Sequence, residues 1–520
     1  MKKFNVTGNC IPSENYMVDI SGKIAQIKKL VDDGSYFTIN RARQYGKTTT
    51  LWILEQTIKS EYAVASISFQ GVDYEKFETA EAFCAAFMEL VQTALRYSGE
   101  EAYANKWADE KATTFMALSR HISDMCREKK VVLMIDEVDN ASDNRTFVKF
   151  LNMLREKYIA KRNGKDYTFH SVILAGVYDI KNLKLKMINE GLYTPTPTEG
   201  KIYNSPWNIA VNFKVDMAFC PAEIATMLSE YETDHHTGMD IAAISEEIYS
   251  YTSGYPFLVS RICQHIDEEL GKNWTSEGIQ KAIELLLKEQ NTLFDDLFKN
   301  VAAYPDLKNT LYELLLLGIG KAFNIDNPTV NLGYMFGYFK DDGSQAKVSN
   351  KIFEMRIYNY FVSENEISGK TNVRVPQRSE IVENGRLNME LCLRKFAQHY
   401  AEIYKQKDAE FLERHGGLLF LTYLKPLING RGFWHIESQT NDFKIDIAVD
   451  YEGEQFIIEL KIWHGKKLHE EAYGQLANYL RLKGADAGYL VTFDFRKEAN
   501  KEHKAEWIEF DGKKIFDAIM

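Results

Sequence analysis

Residues 131–136 read VVLMID, apolar at each of the first five positions and ending in Asp136, with Glu137 directly after. A strand apolar on both of its faces must be covered on both, which in practice means a mostly parallel sheet between layers of helix. Similar short β-rich runs at 36–40, 63–69, 170–175 and 208–213 alternate with helical stretches from about residue 15 to residue 213. That alternation is the pattern of βα units, so the expected fold class is α/β.

The segment FTINRARQYGKTTTLWILEQ sets a basic loop and then Gly46, Lys47 and Thr48 between a strand and a helix. This is the setting of a phosphate-binding loop. Gly46 lets the backbone approach an anion, and the first amides of the helix face it. Lys47 supplies charge to the β and γ phosphates, and the Thr48 hydroxyl can ligate Mg²⁺. Arg43 and Thr49 are further candidates on the phosphate side. One departure stands out: the usual GxxxxGK[ST] pattern has glycine where this chain has Arg41. Farther on, VVLMIDEVDN ends a strand in two carboxylates, Asp136 to hold Mg²⁺ and Glu137 to orient or activate water. The two segments in this order point to ATP binding with Mg²⁺ as the paired cofactor.

On the stretches NYMVDISGKIAQIKKL, NRARQYGKTTT, VVLMIDEVDN and SPWNIAVNF, the first part of the chain resembles the AAA-ATPase-like family of bacterial and archaeal proteins. The resemblance covers roughly the first 290 residues. It implies a P-loop ATPase in which arginine-rich loops commonly replace the first P-loop glycine. SGYPFLVSRICQ looks like the GxP segment of related signalling and origin-type ATPases, where Arg261 is either a γ-phosphate sensor or a surface arginine on a lid helix. AGVYDIKN offers no polar sensor at the usual place, and no arginine finger is assigned.

Beyond this, residues 221–298 read as a helical lid. LYELLLLGIG and a hairpin turning at DDGS give a winged-helix-like connector over 299–362, and the polar stretch 363–380 reads as a linker. The region from 381 to the end is expected to be a separate α/β domain, after an ATPase core over 1–220.

That last region carries FKIDIAVDYEGEQFIIELKIW, two β-like runs joined at a two-residue turn, Glu452-Gly453. Pairing residues equidistant from the turn puts Asp446 opposite Glu459, with Cβ atoms about 5 Å apart. Like charges there are destabilising unless something offsets them, and a divalent cation is the natural offset. Glu459 and Lys461 are two apart, so the lysine shares the face of both acids. A metal bound there can lower the pKa of a water, while Lys461 positions the nucleophile or neutralises the transition state. In the helix HEEAYGQLANYLRLKG, Gln475 and Tyr479 fall one turn apart on one face.

The stretch from LTYLKPLING to GQLANYL, within residues 385–500, resembles the PD-(D/E)xK nuclease domain often fused to AAA-ATPase-like domains. The proline of the superfamily pattern is Ile445 here, while Asp446, Glu459 and Lys461 are in place. The resemblance implies that Gln475 and Tyr479 support the site or contact substrate. Glu413 and Glu437 either complete the metal shell or are plain surface acids.

Composition bounds the rest. A net charge of −11 gives no global pull toward nucleic acid, so DNA contact must rest on a local basic surface or on bound metal. The six cysteines show no CxxC pair, the start has no long apolar run, and no segment suits a membrane span, so a reducing cytoplasm is expected. The expected function is an ATP-binding protein and ATPase coupled to a Mg²⁺-dependent nuclease acting on DNA. Homo-oligomers and a protein trigger are the further partners considered. Two rivals stand beside it: a signalling ATPase of a defence system with a nuclease effector, and a nucleotide-dependent DNA-binding module with an inactive nuclease fold.

Overall fold

The structure is a computed structural model that describes residues 2–108, 111–141, 145–177, 207–316, 320–367, 380–383, 385–404, 420, 423–424, 427–428, 432–438, 445–494, 496 and 504–520. It divides into two compact units. One comprises residues 1–274 with 332–338, the other 275–331 with 339–520.

The first unit is built on four parallel strands, β1 (Tyr36–Asn40), β2 (Ala63–Ser68), β3 (Val131–Asp136) and β4 (Ser171–Gly176), in the order β1-β4-β3-β2. All six residues of β3 are buried, as its continuous apolar run requires. Alternate side chains enter separate cores. Val131, Leu133 and Ile135 pack on one face with Phe83, Phe87, Phe147 and Phe150. Val132 and Met134 pack on the other with helices α1 (Ser21–Asp32) and α2 (Lys47–Ile58). The longest helices of the first face are α3 (Ala80–Tyr97), α4 (Phe115–Glu128) and α5 (Arg145–Arg162).

The fifth run expected at 208–213 does not form a strand. It makes a single parallel bridge, Val211 to Phe37, with the Val211 amide donating to the Tyr36 carbonyl. The physical reason is local. Buried Trp207 opens a turn, Asn208 accepts from Arg155, and by Phe213 the chain contributes a ring stacked on Phe37 instead of a ladder.

Three helices follow, α6 (Pro221–His235), α7 (Ile241–Thr252) and α8 (Pro256–Glu268). Proline at the first position of α6 and α8 suits a turn whose amides have no helical partner. The N-terminal segment is fastened to this helical group. Phe4, Tyr16, Tyr231 and Trp274 form an aromatic cluster, Tyr16 donates to Asp234, and Lys23 pairs with Glu223 at 2.6 Å. Gly254 is obligatory at the start of α8. Its φ is +72°, and a Cβ there would sit 1.9 Å from the Phe219 carbonyl oxygen.

In the second unit, α9 (Ser276–Lys288), α10 (Thr292–Ala303), α11 (Pro305–Leu316) and the start of α12 (Pro328–Met335), whose residues from Leu332 onward belong to the first unit, precede a hairpin of β5 (Phe339–Asp341) and β6 (Ala346–Val348). An isolated antiparallel bridge from Ala322 to Gln345 adds a third line to that hairpin. This is the helix-and-hairpin order of a winged helix. The helix α13 (Lys351–Ile367) runs past the start of the expected linker at 363, and residues 368–379 lie outside the described residues. From α13, Arg356 caps α9 by donating to the Leu287 carbonyl and lies over the Phe294 ring at 4.4 Å.

The remaining elements are α14 (Met389–Tyr404), β7 (Gly432–Ser438), β8 (Ile445–Tyr451), β9 (Glu454–Ile462), α15 (Lys466–Lys483), β10 (Ala487–Phe493), β11 (Lys504–Phe510) and β12 (Lys513–Ile519). They give a six-stranded mixed sheet in the order β11-β12-β10-β9-β8-β7. Ile457, Leu490 and Ile515 of the sheet pack against Ala472, Tyr473, Leu476 and Leu480 of α15. Among the described residues no helix is long and apolar enough to cross a membrane.

Candidate functional site

The P-loop site lies where β1 turns into α2. Gly46 takes φ +76° as the residue before the helix, a left-handed conformation that glycine adopts without strain. Lys47 is 6% exposed, and its ammonium donates to the carbonyls of Arg41 and Ala42, both at 3.0 Å. Burial holds this lysine below its ordinary pKa, against the opposing pull of the Glu137, Asp139 and Asp136 carboxylates. Thr48 donates to Asp136 Oδ2 at 2.6 Å, joining the loop to the end of β3. Thr49 lies one residue on, its hydroxyl accepting from the Cys10 amide.

Asp136 and Glu137 are placed differently. The Glu137 amide donates to Asp136 Oδ1, and Glu137 takes φ +52°, a costly conformation for a residue with a side chain. Burial raises the pKa of its carboxyl, with Lys47 opposing. Asp139, which the sequence reading passed over, accepts from the Val177 amide at 2.6 Å and ties the acidic loop to the end of β4. Its signal was available as the third acid of DEVD.

Arg41, the residue in place of the first P-loop glycine, points away from the loop. It donates to the Asn40 and Val215 carbonyls and lies over the Phe213 ring at 5.6 Å. The Arg43 carbonyl accepts from Tyr255 at 2.5 Å, joining the loop to the start of α8. On the same helix, Arg261 donates to Gln264 at 2.6 Å.

Beside the loop opens a cavity of about 340 Å³. Tyr45, Gly46 and Thr49 line it from the P-loop side, Thr7 from the N-terminal segment, and Met217 and Phe257 from the lid side. Sequence reasoning missed it because its walls come from segments far apart in the chain.

In the second unit the hairpin register is the one expected from the turn. Glu452 and Gly453 both have positive φ, and Asp446 pairs with Glu459. The row continues to Glu437 on one side of Asp446 and to Leu490 and Asp517 beyond Glu459. For Glu437 and Asp446 the described feature is this backbone register, and Glu413 lies outside the described residues. Glu459 is 4% exposed and pairs with Lys461 at 2.8 Å. Lys461 also donates to Gln475 Oε1 at 3.2 Å, which brings α15 onto the end of β9. Tyr479, one turn further, carries the Lys483 ammonium over its ring.

Hard oxygen donors suit a hard cation in both places: the Thr48 hydroxyl and Asp136 carboxylate in one, the register-paired Asp446 and Glu459 in the other. Among the described residues no three His, Cys, Asp or Glu side chains form a metal-binding group.

On the same sheet face as Glu459, Asp517 is fully buried. It accepts from Tyr473 at 2.6 Å and from His469 and Lys504 at 3.1 Å. Burial pushes its carboxyl up, yet those donors outweigh it and hold the pKa below the usual value.

The sequence profile of the AAA-like domain matches residues 10–356, and that of the PD-(D/E)XK nuclease superfamily matches 433–504. Among solved structures, the Walker-type ATPase PABY2304 of Pyrococcus abyssi aligns at 11% identity and TM-score 0.46, covering 68% of this chain and 99% of its own. The ORC2 protein of Aeropyrum pernix in its ADPNP-ADP complexes aligns at 11% identity and TM-score 0.36, covering 71% and 98%. No curated protein matches the sequence.

Proposed function

We propose, from the premise that this chain belongs to the AAA-like domain family and carries a PD-(D/E)XK nuclease-superfamily domain, that it binds and hydrolyses ATP and cleaves DNA under nucleotide control. The observation that carries the reading is that each domain brings a lysine together with acidic and polar side chains: Lys47 with Thr48, Asp136 and Glu137, and Lys461 with Glu459 and Gln475.

In the first site the triphosphate takes the place of the two loop carbonyls as partner of the Lys47 ammonium. Amides at the start of α2 face the phosphates, and the cavity beside Gly46 receives the nucleoside. Thr48 and Asp136 would hold Mg²⁺, which would supply charge neutralisation at the phosphates. Glu137, its pKa raised by burial, orients and deprotonates the attacking water.

In the second site Asp446 and Glu459 would hold a divalent cation, which would supply Lewis-acid stabilisation and a more acidic water. Lys461 orients the attacking oxygen and balances the charge growing on the phosphate, and Gln475 fixes the lysine for that task. A new P–O bond to water forms as the bond to the leaving sugar oxygen breaks, and that oxygen departs with the electron pair and takes up a proton.

The test is incubation of the purified protein with linear, circular and single-stranded DNA, with and without ATP and Mg²⁺. Cleavage that needs both additions supports the coupled reading. Cleavage indifferent to ATP removes the coupling, and none under any condition removes the nuclease.

A further inference from the structure

We propose that the turn between β9 and α15 is the docking surface for the backbone of duplex DNA, about four base-pair steps from the scissile phosphate; this rests on the nuclease reading above. Directly after Glu459 and Leu460 the chain reads KIWHGKKLH, residues 461–469, with three lysines, two histidines and no acid. In a chain of net charge −11 this stretch is a local inversion of sign, and it begins at Lys461 itself. His464, Lys466, Lys467 and Leu468 are exposed. Among the described residues, neither His464 nor Lys467 makes a hydrogen bond or an ion pair.

The turn is held rigidly from beneath. Trp463 is buried and its amide donates to the Phe493 carbonyl at 2.9 Å. His469 is buried against the same ring, with one nitrogen 3.1 Å from Asp517 and the other 3.3 Å from Thr492. The Arg496 guanidinium lies 4.8 Å from the centre of the Trp463 ring and is fixed by the buried Asp494. Glu470 and Glu471, exposed and one turn into the helix, are the nearest acids in sequence. Lysines whose supporting backbone is already fixed lose less freedom on meeting a phosphate.

Distance gives the register. From Lys466 to Gln475, which holds Lys461, the helix rises nine residues, about 13 Å at 1.5 Å each. That matches the rise of about four steps of duplex at 3.4 Å per step. The exposed residues of the turn include no aromatic ring, whereas recognition of single strands relies on aromatic stacking platforms. The surface therefore fits a phosphate backbone presented by a duplex.

The experiment uses the full chain with Ca²⁺ in place of Mg²⁺ and measures duplex affinity across a salt series. The Lys466→Glu/Lys467→Glu variant is expected to bind duplex at least about tenfold more weakly, with a salt slope reduced by about two. Unchanged ATP affinity and melting temperature show that it is folded, and Lys466→Gln/Lys467→Gln, expected to lie between it and wild type, serves if the double glutamate is not. Wild-type affinity and slope in the folded variant overturn the surface while leaving the nuclease reading intact. A loss confined to single-stranded DNA overturns the duplex assignment. If the wild-type protein cleaves no DNA in Mg²⁺ with ATP, the nuclease reading itself fails.

Discussion

The two lysines at the two sites are held in opposite ways. Lys47 sits on neutral carbonyls of its own loop, while the nearby Asp136 carboxylate takes the Thr48 hydroxyl instead. Lys461 is paired directly to Glu459 and steadied by a side chain from another element. A cation resting on carbonyls can be claimed by a polyanion with little electrostatic loss. A cation already neutralised by a carboxylate gives up its partner only when a metal ion takes the carboxylate over. On the proposed reading, the P-loop lysine is therefore ready for a polyanion, whereas the Glu459–Lys461 pair is closed on itself until cation and phosphate arrive together.

Substitutions can break this contrast. Lys461→Ala should lower Mg²⁺-dependent cleavage by about 10²–10³-fold while ATP binding, measured by calorimetry, stays unchanged. Undiminished cleavage would remove the lysine from the chemistry. Lys47→Ala should weaken ATP binding by about 10²-fold, since it deletes a buried charged contact. Equal nucleotide affinity in the variant would refute the P-loop assignment. Gln475→Ala sharpens the comparison at one remove and should reduce the cleavage rate by about 10–100-fold with DNA affinity preserved. A change in affinity alone would make it a substrate contact instead.

The smallest effect concerns stability. Asp517→Asn should destabilise the nuclease domain by about 2 kcal/mol at neutral pH, read from denaturant unfolding. The sign follows from its lowered pKa. An aspartate with a depressed folded pKa stabilises above its unfolded value, about 3.9, and that stability is lost as pH falls through the lower folded value. The gap between wild type and variant should therefore narrow below about pH 4. A constant gap would show that the carboxylate's charge is not what the network uses.

What could be read in the sequence was what is local. The run Val131–Asp136 declared a strand covered on both faces, and Glu452-Gly453 set the register that pairs Asp446 with Glu459. Both follow from an unbroken apolar run and from turn chemistry, which need only neighbours. The strand expected at 208–213 failed because a parallel edge strand depends on a distant partner, and Trp207 and Phe213 found better packing than pairing. Asp517 and the strands β11 and β12 were passed over, since KKIFDAI does not reveal that its acid will meet His469, Tyr473 and Lys504. Likewise the Lys461–Gln475 contact depends on where α15 comes to rest, although the resemblance had singled out both residues.

Arg41 bears on how such loops change over generations. Its guanidinium reaches the main-chain carbonyl of Val215, which a residue of any kind at that position would offer. The strap asks nothing of the side chain at position 215, so a substitution there leaves the acceptor in place, whereas replacing Arg41 removes the donor. A fingerprint that insists on glycine discards this chain, although the loop it describes is present.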